Sequence, residues 1–118
     1  MDEPEIRPSA VAILPAADMG ESLAFFGRLG FAPTSLFPHE GYAILHDADG
    51  ASVHLTRVEP EWIDPARCAH GVYLYARDVD ARAAALGANP EDKPWGMREF
   101  AVLDPAGTLI RIGWPTSD

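Results

Sequence analysis

The side chains able to do chemistry are few, and they stand at telling positions. His54 falls in Ser52–Val58, a stretch that alternates Val53 and Leu55, with Arg57 on the same side, against Ser52, His54 and Thr56. Such alternation is the period of a half-buried strand. An imidazole there can touch a ligand, act as a general base, or simply be a hydrogen-bonded strand histidine. No second catalytic partner accompanies it, and no catalytic residue is assigned. Arg111 lies in a second strand-like stretch, Thr108–Ile112. It is a permanent cation that either pairs with Glu99 or an acidic ligand, or lays its stem on the sheet and sends its head to water. Cys68 is the only cysteine, so no internal disulfide forms, and in a connector it is either a reactive thiol or incidental. Six aromatic residues complete the set: Phe37, Tyr42, Trp62, Tyr73, Tyr75 and Trp95. Aromatic faces suit flat heteroaromatic molecules and cations, and they equally serve as packing. Tyr73 and Tyr75 are two apart, so any strand face takes both or neither.

The elements that would position these groups come as a repeat. The first half reads Asp18, a helical run, Gly30, then the turn Asp47-Ala48-Asp49-Gly50 and the strand Ser52–Val58. The second reads Asp78, a helical run, Gly87, then Asp104-Pro105-Ala106-Gly107 and the strand Thr108–Trp114. Internal repeats define a fold more firmly than any single segment. Ala10–Leu14 has the length of a buried strand. Asp18 reads as an N-cap, with Glu21 placed for a capping box, and Gly30 as a left-handed stop. Leu23, Phe26 and Leu29 recur at helical spacing. Phe31–Phe37 is an irregular strand, because Pro33 removes a ladder donor, and Tyr42–Leu45 is the next. Glu59–Ala69, with Pro60 and Pro65, is a linker. Gly71–Ala76 opens the second half, and Asp78 caps an Ala-rich helix. Ala88–Pro94 is a loop where the first half has a full strand, so the second module is shortened. Met97–Leu103 then pairs with Thr108–Ile112.

The organisation expected is a lead over residues 1–9, flexible and acidic, followed by one domain over 10–118, with modules at about 10–58 and 70–115. The class is α+β. At 118 residues and 47% hydrophobic content the chain can build one real core. No apolar run approaches the roughly 20 residues of a membrane span, and the acidic start is unlike a signal peptide, so a cytoplasmic address is expected. The net charge of −9 argues against nucleic acid and anionic membranes as partners, both of which recruit basic surfaces. It is compatible with a cationic ligand, and acidity alone also serves solubility.

Two segments resemble a known superfamily over nearly everything from Ala10 to Trp114. One is Ala17-Asp18-Met19-Gly20-Glu21-Ser22-Leu23-Ala24-Phe25-Phe26 with Leu29-Gly30-Phe31. The other is Pro94-Trp95-Gly96-Met97-Arg98-Glu99-Phe100 followed by Asp104-Pro105-Ala106-Gly107. They resemble the vicinal oxygen chelate superfamily of glyoxalase I, extradiol dioxygenases and the bleomycin and fosfomycin resistance proteins, and the second is especially similar to bleomycin-resistance proteins. The resemblance implies tandem βαβββ modules whose curved mixed sheets enclose a cavity. It also implies a homodimer, with elements exchanged in many members, in which each cavity borrows residues from both chains. The aromatic set would then lie on cavity walls or rims.

Enzymes of the superfamily hold a divalent metal on equivalent strands of the two halves. Counting from the repeat's punctuation, those positions here are Val11, His54, Gly71 and Arg111. Val and Gly offer no donor and Arg repels a cation, so neither a metal nor another cofactor is expected. The resemblance implies a non-catalytic protein that sequesters a small aromatic or cationic antibiotic, bleomycin-like, in a dimer-interface groove. Its contacts would come from Phe37, Tyr42, His54, Trp62, Tyr73, Tyr75, Trp95 and Arg111. A metal-dependent glyoxalase- or dioxygenase-type enzyme and a binder of an unrelated ligand stand as alternatives.

Overall fold

The computed structural model describes residues 8–116; most of the expected lead over residues 1–9 lies outside them. Two compact units follow one another, meeting in sequence between Ile63 and Asp64. The first contains β1 (Ala12–Ala16), α1 (Met19–Leu29), β2 (Ala32–Phe37), β3 (Tyr42–His46) and β4 (Ser52–Arg57). Its four-stranded sheet has the order β1-β4-β3-β2, with β1 parallel to β4 and the other pairs antiparallel. The second contains β5 (Gly71–Tyr75), α2 (Val79–Ala85), β6 (Glu91–Asp92), β7 (Met97–Leu103) and β8 (Leu109–Pro115). Its order, β5-β8-β7-β6, repeats the same topology. The fold is α+β, built from two βαβββ modules with mixed sheets, and the second module carries a shortened strand.

Local chemistry explains these elements. Asp18 sits in extended backbone and its Oδ1 accepts from the Glu21 amide at 3.0 Å, satisfying a donor that the first turn of α1 leaves free. Gly30 ends the helix at φ 110°, where a Cβ would be strained, and its N–H returns to the Gly27 carbonyl. Ser22, Phe25, Phe26 and Leu29 are the buried side of α1. Phe26 meets Phe25 and Phe31 edge-to-face at 5.2 and 5.9 Å, a favoured arrangement of ring quadrupoles. On the sheet, Leu14, Ala16, Ala43, Leu45, Val53 and Leu55 are buried, one alternating set from each of three strands. In the second unit Leu74, Ala76, Phe100, Ile110 and Ile112 do the same beside Val79 and Ala83 of α2.

The duplicated Asp turns are equivalent down to the atom. Asp47 Oδ1 accepts from the amides of Asp49 and Ala51 at 3.0 and 2.8 Å. Asp104 Oδ1 accepts from those of Ala106 and Thr108, both at 2.9 Å. Each carboxylate folds its own hairpin connection. Among the described residues Asp104 Oδ2 is buried without a hydrogen-bond partner, and burial holds this carboxyl above the ordinary aspartate range. Gly107 adopts φ 89°, and a Cβ there would press on the Pro65 carbonyl oxygen at 2.9 Å.

Several expectations need correction. The first strand is Ala12–Ala16, two residues later than Ala10–Leu14. It is set by pairing with β4, whose buried Val53 and Leu55 draw Ala12 and Leu14 alongside. The last strand likewise runs to Pro115, because all seven residues of β7 find partners on it. The linker carries two short 3₁₀ turns, Pro60–Trp62 and Pro65–Arg67. Asp78 does not cap α2. Its backbone leaves the extended region (φ −92°, ψ 48°), and Oδ1 instead accepts from Nε of the buried Arg82 at 2.9 Å. The irregularity of β2 falls where Pro33 put it, as a register shift between Pro33 and Ser35.

Candidate functional site

Each sheet has one face under its helix and one face without a helix, and the open faces gather most of the candidate residues. In the first unit, Phe37 lies opposite Tyr42, and Ile44 opposite His54, which in turn lies beside Ile13. These side chains alternate with the buried set, so they share the open face. The Tyr42 hydroxyl is 2.7 Å from His54 Nδ1, and the two rings cross at 79° with centroids 5.3 Å apart. Burial and, to a smaller degree, the nearby His46 lower the His54 pKa, favouring the neutral ring. His46 is itself engaged, with Nδ1 2.8 Å from Thr34 Oγ1. Trp62 ends the first 3₁₀ turn, 73% exposed and off the sheet.

In the second unit, Leu74 and Ala76 turn inward, so Tyr73 and Tyr75 both face outward, their ring centroids 4.9 Å apart. By register Tyr73 lies beside Arg111, Arg111 opposite Ala101, and Glu99 opposite Gly113. The Tyr73 hydroxyl reaches over Gly113 and donates to Glu99 Oε2 at 2.7 Å. The bare Cα makes this possible: a Cβ on Gly113 would run into the Tyr73 hydroxyl and lie 2.9 Å from the Glu99 Cβ. Glu99 is only 4% exposed. Burial of the phenol and its bond to Glu99 push the Tyr73 pKa well above the ordinary tyrosine value, with Arg111 opposing weakly. Glu99 is thus engaged by Tyr73, and of the alternatives open to Arg111 the pair with Glu99 is not formed among the described residues.

Trp95 is placed by a tight turn. The Gly96 amide donates to the Lys93 carbonyl at 3.1 Å, and the Lys93 amide to the Met97 carbonyl at 2.7 Å. Pro94 and Trp95 are the central residues of that turn, a position that favours Pro first. Trp95 is 64% exposed as a result. Beneath it is a cavity of about 320 Å³ whose lining includes Trp95, Arg111, Ala101, Glu99, Ala88 and Asn89. The cavity lies beside the short β6, whose Glu91 is part of its lining. In the first unit β2 pairs along the whole of β3, whereas β6 covers only Arg98 and Glu99 of the seven-residue β7.

The candidates thus fall into three groups. Phe37, Tyr42 and His54 share one sheet face, Tyr73, Tyr75, Arg111 and Trp95 cluster in the second unit, and Trp62 stands apart. Glu99 and Gly113 were missed as a pair. A glycine within a strand opposite a carboxylate was the available signal, since strand glycines mark close approach. Cys68 also has company: Sγ lies 3.2 Å from His70 Nδ1, and His70 Nε2 is 2.8 Å from the buried Thr108 Oγ1.

The four positions counted from the punctuation fall unevenly on the strands. Val11 precedes β1 and Gly71 pairs with Leu109, so the residues beside His54 and Arg111 are Ile13 and Tyr73. The residues at and beside His54 and Arg111 offer an imidazole and a protonated phenol next to a fixed cation, which is poor chemistry for a divalent ion. Among the described residues no three His, Cys, Asp or Glu side chains converge to hold a metal. No helix among them is long and apolar enough to cross a membrane.

Two βαβββ units with aromatic side chains on open sheet faces define a chelate-type fold of paired modules. The chain belongs to the Glyoxalase/Bleomycin resistance protein/Dioxygenase superfamily, whose profile matches residues 9–112. A bleomycin-binding protein solved with bleomycin superposes with a TM-score of 0.77 at 24% identity, covering 92% of this chain and 98% of that one. The bleomycin-binding protein of bleomycin-producing Streptomyces verticillus, solved with copper(II)-bleomycin, gives 0.66 at 21% identity, covering 98% and 100%. A glyoxalase/bleomycin resistance protein from Catenulispora acidiphila gives 0.65 at 26% identity, covering 89% and 96%. At these identities the first two speak for the fold alone. Comparison with curated protein sequences gives no match.

Proposed function

We propose that this chain is a non-catalytic binding protein that sequesters a small aromatic or cationic antibiotic of the bleomycin type. The working form is a homodimer, and the drug is held in a groove where two copies meet. The observation that carries the reading is the display of aromatic surface: Tyr75 and Trp95 are each 64% exposed, with Phe37 at 44%. Rings left in water at this cost are the usual makings of a recognition surface. Stacking on flat heteroaromatic groups adds roughly 0.5–1.5 kcal/mol per pair beyond area burial. The net charge of −9 favours approach of a cation. The donor set around His54 gives no support to metal chemistry, and the fold is one used by proteins that bind bleomycin.

Tryptophan fluorescence of the purified protein, titrated with metal-free bleomycin, tests this directly. Saturable quenching at micromolar drug is expected, with one drug bound by each chain and a sedimenting mass about twice the 12.8 kDa of the chain. Loss of most of the quenching in Trp95→Phe would assign the contact. A flat titration removes bleomycin as the ligand.

A further inference from the structure

The charged groups around the second-unit cavity balance in number but not in their contacts, and this points to the chemistry of what the cavity takes. Four ionisable groups line it: Glu91, Lys93, Glu99 and Arg111. Glu91 and Lys93 satisfy one another, Nζ to Oε1 at 2.7 Å, and this pairing lowers the Glu91 pKa. Glu99 is held by the Tyr73 hydroxyl. Among the described residues the guanidinium of Arg111 makes no ion pair or hydrogen bond. The other arginines of this unit differ. Arg67 meets Asp64, Arg82 meets Asp78, Arg98 bridges Asp80 and Asp92, and Arg77 covers the Trp114 ring at 4.6 Å. In a chain of net charge −9, with 18 acidic residues to 9 basic ones, a lone arginine on a cavity wall is notable.

We infer that this cavity seats a planar aromatic group bearing a carboxylate, with the carboxylate on Arg111 and the ring against Trp95. The guanidinium presents a planar fork of donors that matches a carboxylate in two parallel hydrogen bonds. Trp95, fixed at its turn, supplies the flat wall. At about 320 Å³ the space is near the small end of ligand cavities, about 300–1,000 Å³, and fits a bicyclic ring system rather than a large glycopeptide. Distant acidic groups are screened beyond roughly 8 Å at physiological salt. Of the two carboxylates on the lining, Glu91 is paired with Lys93 while Glu99 is buried and bonded to Tyr73, so Arg111 is the group that faces an incoming anion. The inference rests on the proposed role as a small-molecule binder and specifies the charge of the moiety that this cavity admits. Cationic parts of the same ligand would lie elsewhere.

Isothermal titration of the full chain with 2-naphthoate and with 2-naphthamide tests it, since the two probes share ring and shape and differ in charge. The expected result is naphthoate binding about tenfold tighter than naphthamide, as for a charge-assisted bidentate contact. Arg111→Gln should abolish that preference while leaving the thermal unfolding midpoint unchanged, because Arg111 is exposed. Arg111→Lys should restore only part of it, since the fork is lost. Equal affinity for the two probes, binding of neither, or a preference that survives Arg111→Gln overturns the inference. Bleomycin quenching measured on the same preparations separates the two readings. Lost preference with intact quenching sinks this inference alone, and intact preference with flat quenching sinks the antibiotic reading alone.

Discussion

At the scale of the residue, the arrangement around Gly113 governs the second-unit face. Tyr73, Gly113 and Glu99 sit on three adjacent strands, and the absent Cβ is what lets a phenol cross the middle one. Gly113→Ala should force Tyr73 off Glu99 and cost about 1–3 kcal/mol in urea denaturation, the range for overpacking. Tyr73→Phe removes the hydroxyl with which the new methyl collides. A double-mutant cycle should therefore show a smaller penalty for Gly113→Ala in the Tyr73→Phe background, and additive losses would refute this account. Little of this was legible in the sequence. The shared face of Tyr73 and Tyr75 follows from alternation alone, but which face is open depends on where α2 packs. Glu99 could be tied to Arg111 or to nothing, because cross-strand register is not a property of either strand by itself.

At the scale of the element, the two Asp residues that begin the helical runs look alike in sequence and act differently. Asp18 caps α1, while Asp78 binds a buried arginine of α2. Asp18→Ala should cost about 1 kcal/mol and Asp18→Asn almost nothing, since Asn caps as well as Asp. Asp78→Ala should cost more than Asp18→Ala, because it strips a partner from a guanidinium that is 6% exposed. Asp78→Asn should recover little, the charge being what matters. Equal losses at the two sites under guanidinium denaturation would contradict the assignment. The strands, the Asp turns and the break at Pro33 were readable because each is set by local chemistry. The two-residue slip of β1 was not, since its position is fixed by its partner β4.

At the scale of the whole molecule, the repeat and the family resemblance together made the paired modules readable, and the shortened strand was visible as a missing segment. The cavity beside the short strand was not, because a missing segment does not say how the loop around it packs. Charge is the property that belongs to the molecule entire. With a net charge of −9, association with a cationic drug should slow as salt rises while dissociation changes little, as stopped-flow fluorescence would show. A salt-independent association rate would mean that the acidity plays no part in recognition. The uneven outer strands have a further consequence for life at high concentration. A sheet ending in a long, regular strand offers its free amides and carbonyls to any neighbour's sheet. Here one outer strand is broken at Pro33, and another is two acidic residues long, followed by Lys93. Along these two edges a passing copy finds little straight backbone to zip onto, which leaves β1 and β5 as the regular outer strands.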